Sequence, residues 1–157
     1  MAGEFEGRVA FITGAAHGQG RAVALAFARG GADVAGFDVA KNIEYPAYTF
    51  GSGAELESLK KEIESLGRRA LVFAGDVRDD AAITAAVDAT MKALGRIDVL
   101  FNNAGICAYA RAHEMTELEW DSMIDINLKG AWMVARRIIP HMIGARTGVI
   151  INNSSVM

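Results

Sequence analysis

The sequence predicts a doubly wound α/β fold on a parallel sheet, and three observations predict it. Short apolar runs alternate with amphipathic helical patterns along the whole chain, as parallel strands joined by helical crossovers require. The first run, Val9 to Ile12, is unbroken, as expected of a strand buried on both faces. Glycines 14, 18 and 20 follow it at once, and the second run, Val34 to Phe37, stops at Asp38.

The elements follow in order. After the glycines a helical pattern places Ala22, Val23, Ala26 and Phe27 on one face, and Gly30-Gly31 ends it. Val39 to Gly53 has no period and reads as a long loop. It begins where an adenosine would sit, so it either folds over a ligand or is a tolerated surface insertion. Glu55 to Leu66 is a helix with Leu56, Leu59, Ile63 and Leu66 on its stripe. Ala70 to Ala74 is a third strand. The helix Asp79 to Leu94 keeps Ile83, Ala86, Val87, Thr90, Met91 and Leu94 in a 3.6-residue period. Ile97 to Phe101 is a fourth strand. A long helix starts at Thr116, with Glu119 as its capping-box partner. Its expected inward stripe is Ile124, Leu128, Ala131, Ala135, Ile138 and Met142, and Pro140 is expected to bend or end it. Gly148 to Asn152 is a fifth strand. Right-handed crossovers with a reversal after the third strand order the sheet 3-2-1-4-5.

Ligands of such sheets bind outside the carboxyl ends of the strands, where the winding reverses. Each polar cluster of this sequence falls there. Gly14, His17, Gly18, Gln19 and Gly20 follow the first strand, Asp38 the second, and Asp76-Val77 the third. Asn102, Asn103, Ala104 and Gly105 follow the fourth, and Ser154-Ser155 the fifth. Glycines let the backbone turn tightly beside a ligand. The N–H groups and dipole of the helix start attract a diphosphate. Asp38, 18 residues past Gly20, is placed to accept from ribose hydroxyls. Asp76 is expected to accept from an adenine amino group, with a Val77 N–H on the ring; its structural alternative is a cap on the next helix. His17 is an exposed neighbour of the phosphates. Asn127, on the expected inward stripe, either bonds a neighbouring backbone or holds a water beside the reacting centre. Cys107 and His113 show no spacing for a metal, and no metal is expected.

The 157 residues are the size of one domain, and 52% hydrophobic content suits a globular chain. A net charge of −3 without a basic run argues against nucleic acid as a partner. The most apolar stretch, Ala131 to Ile143, carries Arg136 and Arg137 and is too short to span a bilayer. The acidic N-terminus is no secretory signal. A lone cysteine makes no internal disulfide and points to the cytoplasm.

The spacing Thr13-Gly14-x-x-x-Gly18-x-Gly20, with Asp76-Val77, Asn102-Asn103-Ala104-Gly105, Asn127 and Ser155 in this order, resembles the short-chain dehydrogenase/reductase family over essentially the whole chain. That resemblance implies an NAD-dependent oxidoreductase moving a hydride between a secondary alcohol or ketone and nicotinamide. It implies Ser155 as the substrate-orienting serine and Asn127 as holder of a relay water. It also implies a small-molecule substrate and a homo-oligomer, the usual tetramer. Asp38 implies NAD over NADP, since it repels a ribose phosphate and no arginine replaces it. The loop after Asp38, with Tyr45-Pro46, and Leu66-Gly67-Arg68-Arg69 resemble the carveol-dehydrogenase-like, mycofactocin-coupled branch, where the insert is associated with tightly held NAD.

The family's catalytic pair, Tyr-x-x-x-Lys on the helix after strand five, has no counterpart here. Four residues beyond Tyr45, Tyr48 and Tyr109 stand Thr49, Ser52 and His113. The sequence therefore reads as one NAD-binding domain over 1–157, incomplete at its C-terminus, truncated after strand five and inactive alone. The alternative is a non-catalytic NAD-binding or assembly module. An uncovered fifth strand with Val149, Ile150 and Ile151 is expected to invite association.

Overall fold

Five parallel strands form a single sheet in the order β3-β2-β1-β4-β5 in the computed structural model, which describes residues 3–154. The strands are β1 (Val9–Thr13), β2 (Asp33–Asp38), β3 (Ala70–Ala74), β4 (Val99–Asn102) and β5 (Val149–Asn152). The helices are α1 (Gly18–Arg29), α2 (Gly53–Ser65), α3 (Asp80–Leu94), α4 (Glu117–Ile124) and α5 (Ala131–Ala145), with a π-helical segment, Asp125–Gly130, joining the last two. β1 and β2 are buried at every position, which is why their sequences are continuous rather than alternating apolar runs.

Successive residues of a strand point to opposite faces. On one side Ala10, Ile12 and Val34 pack with Ala24, Leu25, Leu56, Leu59 and Ile63 of α1 and α2. On the other, Phe11, Phe37 and Leu100 pack with Ile83, Val87, Val134, Ile138 and Met142 of α3 and α5. The order of strands reverses between β1 and β4, which pair in register from Ala10↔Val99 to Ile12↔Phe101. That seam is the switch point where the carboxyl ends diverge and leave a crevice.

The helices start where side chains satisfy their free N–H groups. Ser52 and Glu55 make a reciprocal capping box on α2, as do Thr116 and Glu119 on α4. Asp79 caps α3 by accepting from Ala81 and Ala82.

Several sequence expectations need correction. The buried face of α1 is Gly20, Ala24, Leu25 and Ala28; of the expected four, Val23 and Phe27 are half-buried against its flank, while Ala22 and Ala26 are exposed. Its smallest residues face the sheet so that the helix can lie close. A Cβ on Gly20 would stand 1.9 Å from the Gly14 carbonyl oxygen. Phe27 packs on the rim of the core beneath this helix and also meets Phe5 edge-on at 4.9 Å between centroids. Leu66 is exposed, because it is the C-cap of α2 and lies past the last inward turn. Ile124 and Leu128 also point outward. A π turn takes one residue more than an α turn, so the inward positions run Ser122, Ile126, Gly130, Val134 and Ile138. Asn127 consequently lies on the exposed side and not on a buried stripe. Pro140 does not end α5, which continues to Ala145.

β5 is the outer strand on its side of the sheet, with Val149 56% and Ile151 40% exposed. No helix among the described residues is long and apolar enough to cross a membrane.

Candidate functional site

The switch point is held together from β1. The Thr13 hydroxyl accepts the N–H groups of Asn103 at 2.9 Å and Ala104 at 3.0 Å. The Asn103 amide donates back to the carbonyls of Thr13 at 3.1 Å and Gly14 at 3.3 Å. Two strand ends thereby act as one rigid floor. Gly14 leaves β1 at φ +67° beneath this floor, a conformation that a side chain resists. A Cβ on it would stand 2.9 Å from the Asn103 amide nitrogen. The chain then enters α1 at Gly18, with His17 as an exposed N-cap whose side chain makes no capping bond. The first-turn N–H groups have no intrahelical acceptor and remain free for an anion.

Asp38 ends β2 on the other side of the glycine turn. Its carboxylate is buried and accepts the N–H of Ala16 at 2.9 Å and of Ala40 at 3.0 Å, one on each oxygen. Each oxygen keeps a lone pair. The carboxylate borders a narrow recess of about 70 Å³, walled by Phe37, Asp76, Val77, Ile106 and Ile126. Residues 39–52 close the recess from above: Ile43 and Phe50 line it, and Phe50 stacks on Tyr48 at 4.8 Å between centroids. Gly51 sits so tightly on Ala16 that a Cβ would come within 2.5 Å of the Ala16 methyl. The segment that gave no sequence period thus borders the recess through Val39, Ile43 and Phe50, while its residues 41, 42, 44 and 47–49 are exposed.

Asp76 stands free of α3 capping, a task that Asp79 performs. Burial pushes the Asp76 carboxyl up, but bonds from the Arg78 side chain and backbone N–H outweigh it and hold the group below the usual carboxylate range. Val77 is buried beside it, against Gly130.

Past Asn103 the recess gives way to an open cleft of about 640 Å³, bordered by Gln19, Tyr48, Gly105, Cys107, Met123, Asn127, Asn153 and Ser154. Asn127 reaches it from the π segment. Its Oδ1 accepts the Ile106 N–H at 2.8 Å and its Nδ2 donates to the Ile106 carbonyl at 2.9 Å. Of the two sequence alternatives, the bond to a neighbouring backbone is made; one N–H of the amide has no protein acceptor among the described residues. The exposed Tyr48 hydroxyl accepts the Cys107 N–H at 3.2 Å. Ser155 lies outside the described residues; Ser154, one position before it, borders the cleft.

Gly14, His17, Asp38, Asp76, Val77, Ala104 and Gly105 all line the recess, while Gln19, Asn103, Ala104, Gly105 and Asn127 line the cleft. Gly18 and Gly20 sit between them in the first turn of α1. Sequence reasoning missed the Thr13 clamp, the Asp76–Arg78 pair, Tyr48 and Asn153. Only Thr13 carried a signal, as a hydroxyl ending an apolar strand. Tyr48 and Asn153 act through contacts with residues 59 and 134 positions away.

This donor set fits a dinucleotide. A flat, apolar-walled recess with two carboxylates and an open amide-lined cleft flank a turn that only glycines allow. The family model for short chain dehydrogenases matches residues 8–157. The chain belongs to the short-chain dehydrogenase family. It is 44% identical to the (-)-trans-carveol dehydrogenase of Rhodococcus erythropolis over 96% of this chain and 55% of that protein. The carveol dehydrogenase of Mycobacterium avium, solved in complex with NAD, superposes with a TM-score of 0.90 at 39% identity over 94% of this chain and 54% of that one. A short chain dehydrogenase from Mycobacterium paratuberculosis bound to NAD gives a TM-score of 0.90 at 37% identity over 94% and 55%. The chain spans about half the length of the curated relatives it matches.

Proposed function

We propose that this short-chain dehydrogenase chain is the NAD-binding domain, over 1–157, of an enzyme that interconverts a small secondary alcohol and its ketone. Bound NAD supplies the hydride acceptor for alcohol oxidation. The chain's residues bind and orient. The first turn of α1, with Gly14, His17, Gly18, Gln19 and Gly20, holds the diphosphate. Asp38 accepts the two hydroxyls of the adenosine ribose, Asp76 the adenine amino group, and Val77 supports the ring. Asn103, Ala104 and Gly105 border the second ribose. Asn127 holds a water at the cleft through its remaining N–H, and Ser155 orients the substrate oxygen.

The observation that carries this reading is the Asp38 carboxylate, buried at 5% exposure between the glycine turn and the recess. Its charge also supports NAD over NADP, because a 2′-phosphate there meets an anion in a low-dielectric pocket. Carveol-type alcohols are the substrate class that the relatives' names support, and the 39–52 segment supports that branch of the family. The exposed apolar residues Trp120, Leu128 and Trp132 of the α4–α5 arm support a homo-oligomer. The free thiol of Cys107 supports a cytoplasmic setting.

A second reading has its own observation: no Tyr-x-x-x-Lys occurs in the 157 residues. On that reading the chain binds NAD without turnover, as a nucleotide-binding or assembly module. Calorimetric titration of the 157 residues with NAD tests the binding that both readings share, and a carveol oxidation assay on the protein purified at its native length separates them. Turnover by that protein supports the enzyme. NAD binding without turnover by it supports the module. No binding removes both.

A further inference from the structure

Three side-chain amides run in series across the seam between recess and cleft, and each fixes the orientation of the next. The Asn103 Nδ2 donates to two backbone carbonyls, those of Thr13 and Gly14. Carbonyls only accept, so the Asn103 Oδ1 must point the other way. There it accepts from the Asn153 Nδ2 at 2.9 Å. The second N–H of that group goes to the Gln19 Oε1 at 2.8 Å. With its oxygen engaged, Gln19 can present only its NH2 group onward. That group carries two donors with no protein acceptor among the described residues, on a side chain that lines the cleft from the first turn of α1.

We infer that Asn153 is a positioning residue: it turns the Gln19 amide so that its donors face the phosphate on the cleft side of the bound dinucleotide. The inference rests on the NAD reading above. Orientation decides the sign of the interaction. An NH2 toward a phosphate makes a charge-assisted bond, whereas the flipped amide sets an oxygen against an anion. The relay starts at backbone and so resists flipping, and it joins the ends of β1, β4 and β5 to α1 through three side-chain amides. Asn153 immediately precedes Ser154, so the same bond fixes where the chain leaves β5 beside the cleft.

The test is a double-mutant cycle on NAD affinity with Asn153→Leu, Gln19→Ala and the pair, alongside AMP, which lacks the cleft-side phosphate. Asn153→Leu is expected to weaken NAD about tenfold. It should add nothing in the Gln19→Ala background, and leave AMP affinity and melting temperature unchanged. Additive losses in the cycle, an equal loss of AMP, or unchanged NAD affinity in Asn153→Leu would overturn the inference while wild-type binding stands. Failure of the wild-type protein to bind NAD removes the NAD reading itself.

Discussion

Asp38 has two tasks, one structural and one of recognition, and substitution can separate them. Asp38→Asn keeps an oxygen for one of the two N–H groups, from Ala16 and Ala40, that the carboxylate accepts, but removes the charge. The expected outcome is about a tenfold loss of NAD affinity and a smaller preference over NADP, read by titrating both. Asp98 is a purely structural counterpart at the opposite strand ends. Burial raises its carboxyl, but Arg96, the Val9 N–H and Arg8 together hold it below the ordinary range. A depressed folded pKa contributes stability above the unfolded value of about 4, lost as pH falls through the lower folded value. Asp98→Asn should cost about 2 kcal/mol at pH 7, since both arginine partners are about half exposed. In denaturant titrations the gap from wild type should close as pH drops below about 4. An unchanged gap at low pH would mean that packing and not charge carries the effect. At this scale the sequence made Asp38, Asp76 and Asn103 legible, because each follows an apolar strand directly. Asn153 was not legible: its function lies in a bond to Gln19, 134 positions away.

Among the elements, the π segment shapes the site most. It turns Ile126 and Gly130 inward and leaves Asn127 on the cleft side, clamped to Ile106. Gly130 lets the segment approach β3's exit so closely that a Cβ would come within 2.6 Å of a Val77 methyl. Gly130→Ala should therefore destabilise by about 1 kcal/mol, overpacking being partly offset by better helix propensity. Combining it with Val77→Ala should relieve the crowding, so that the two effects are not additive in thermal melts. Full additivity would show that the contact is not the cause. Strands and caps could be read from sequence, since two-sided burial writes a continuous apolar run and capping boxes are local. The faces of α1 and α4–α5 could not. Alanine counts as apolar wherever it lies, so Ala22 and Ala26 looked inward. A helix extrapolated at 3.6 residues per turn cannot register the extra residue of a π turn.

For the whole molecule, topology does the assembling. All five strands run parallel, so their carboxyl ends share one edge, and residues as distant as Gln19 and Asn153 meet there. The same arrangement exposes Val149 and Ile151 on β5. The most direct measurement is a calorimetric titration of the wild-type protein with NAD and with NADP. One NAD per chain, bound at least about tenfold more tightly than NADP, is the expected result. No heat with either nucleotide, or equal affinity for both, would contradict the role given to Asp38 and the glycine turn beside it.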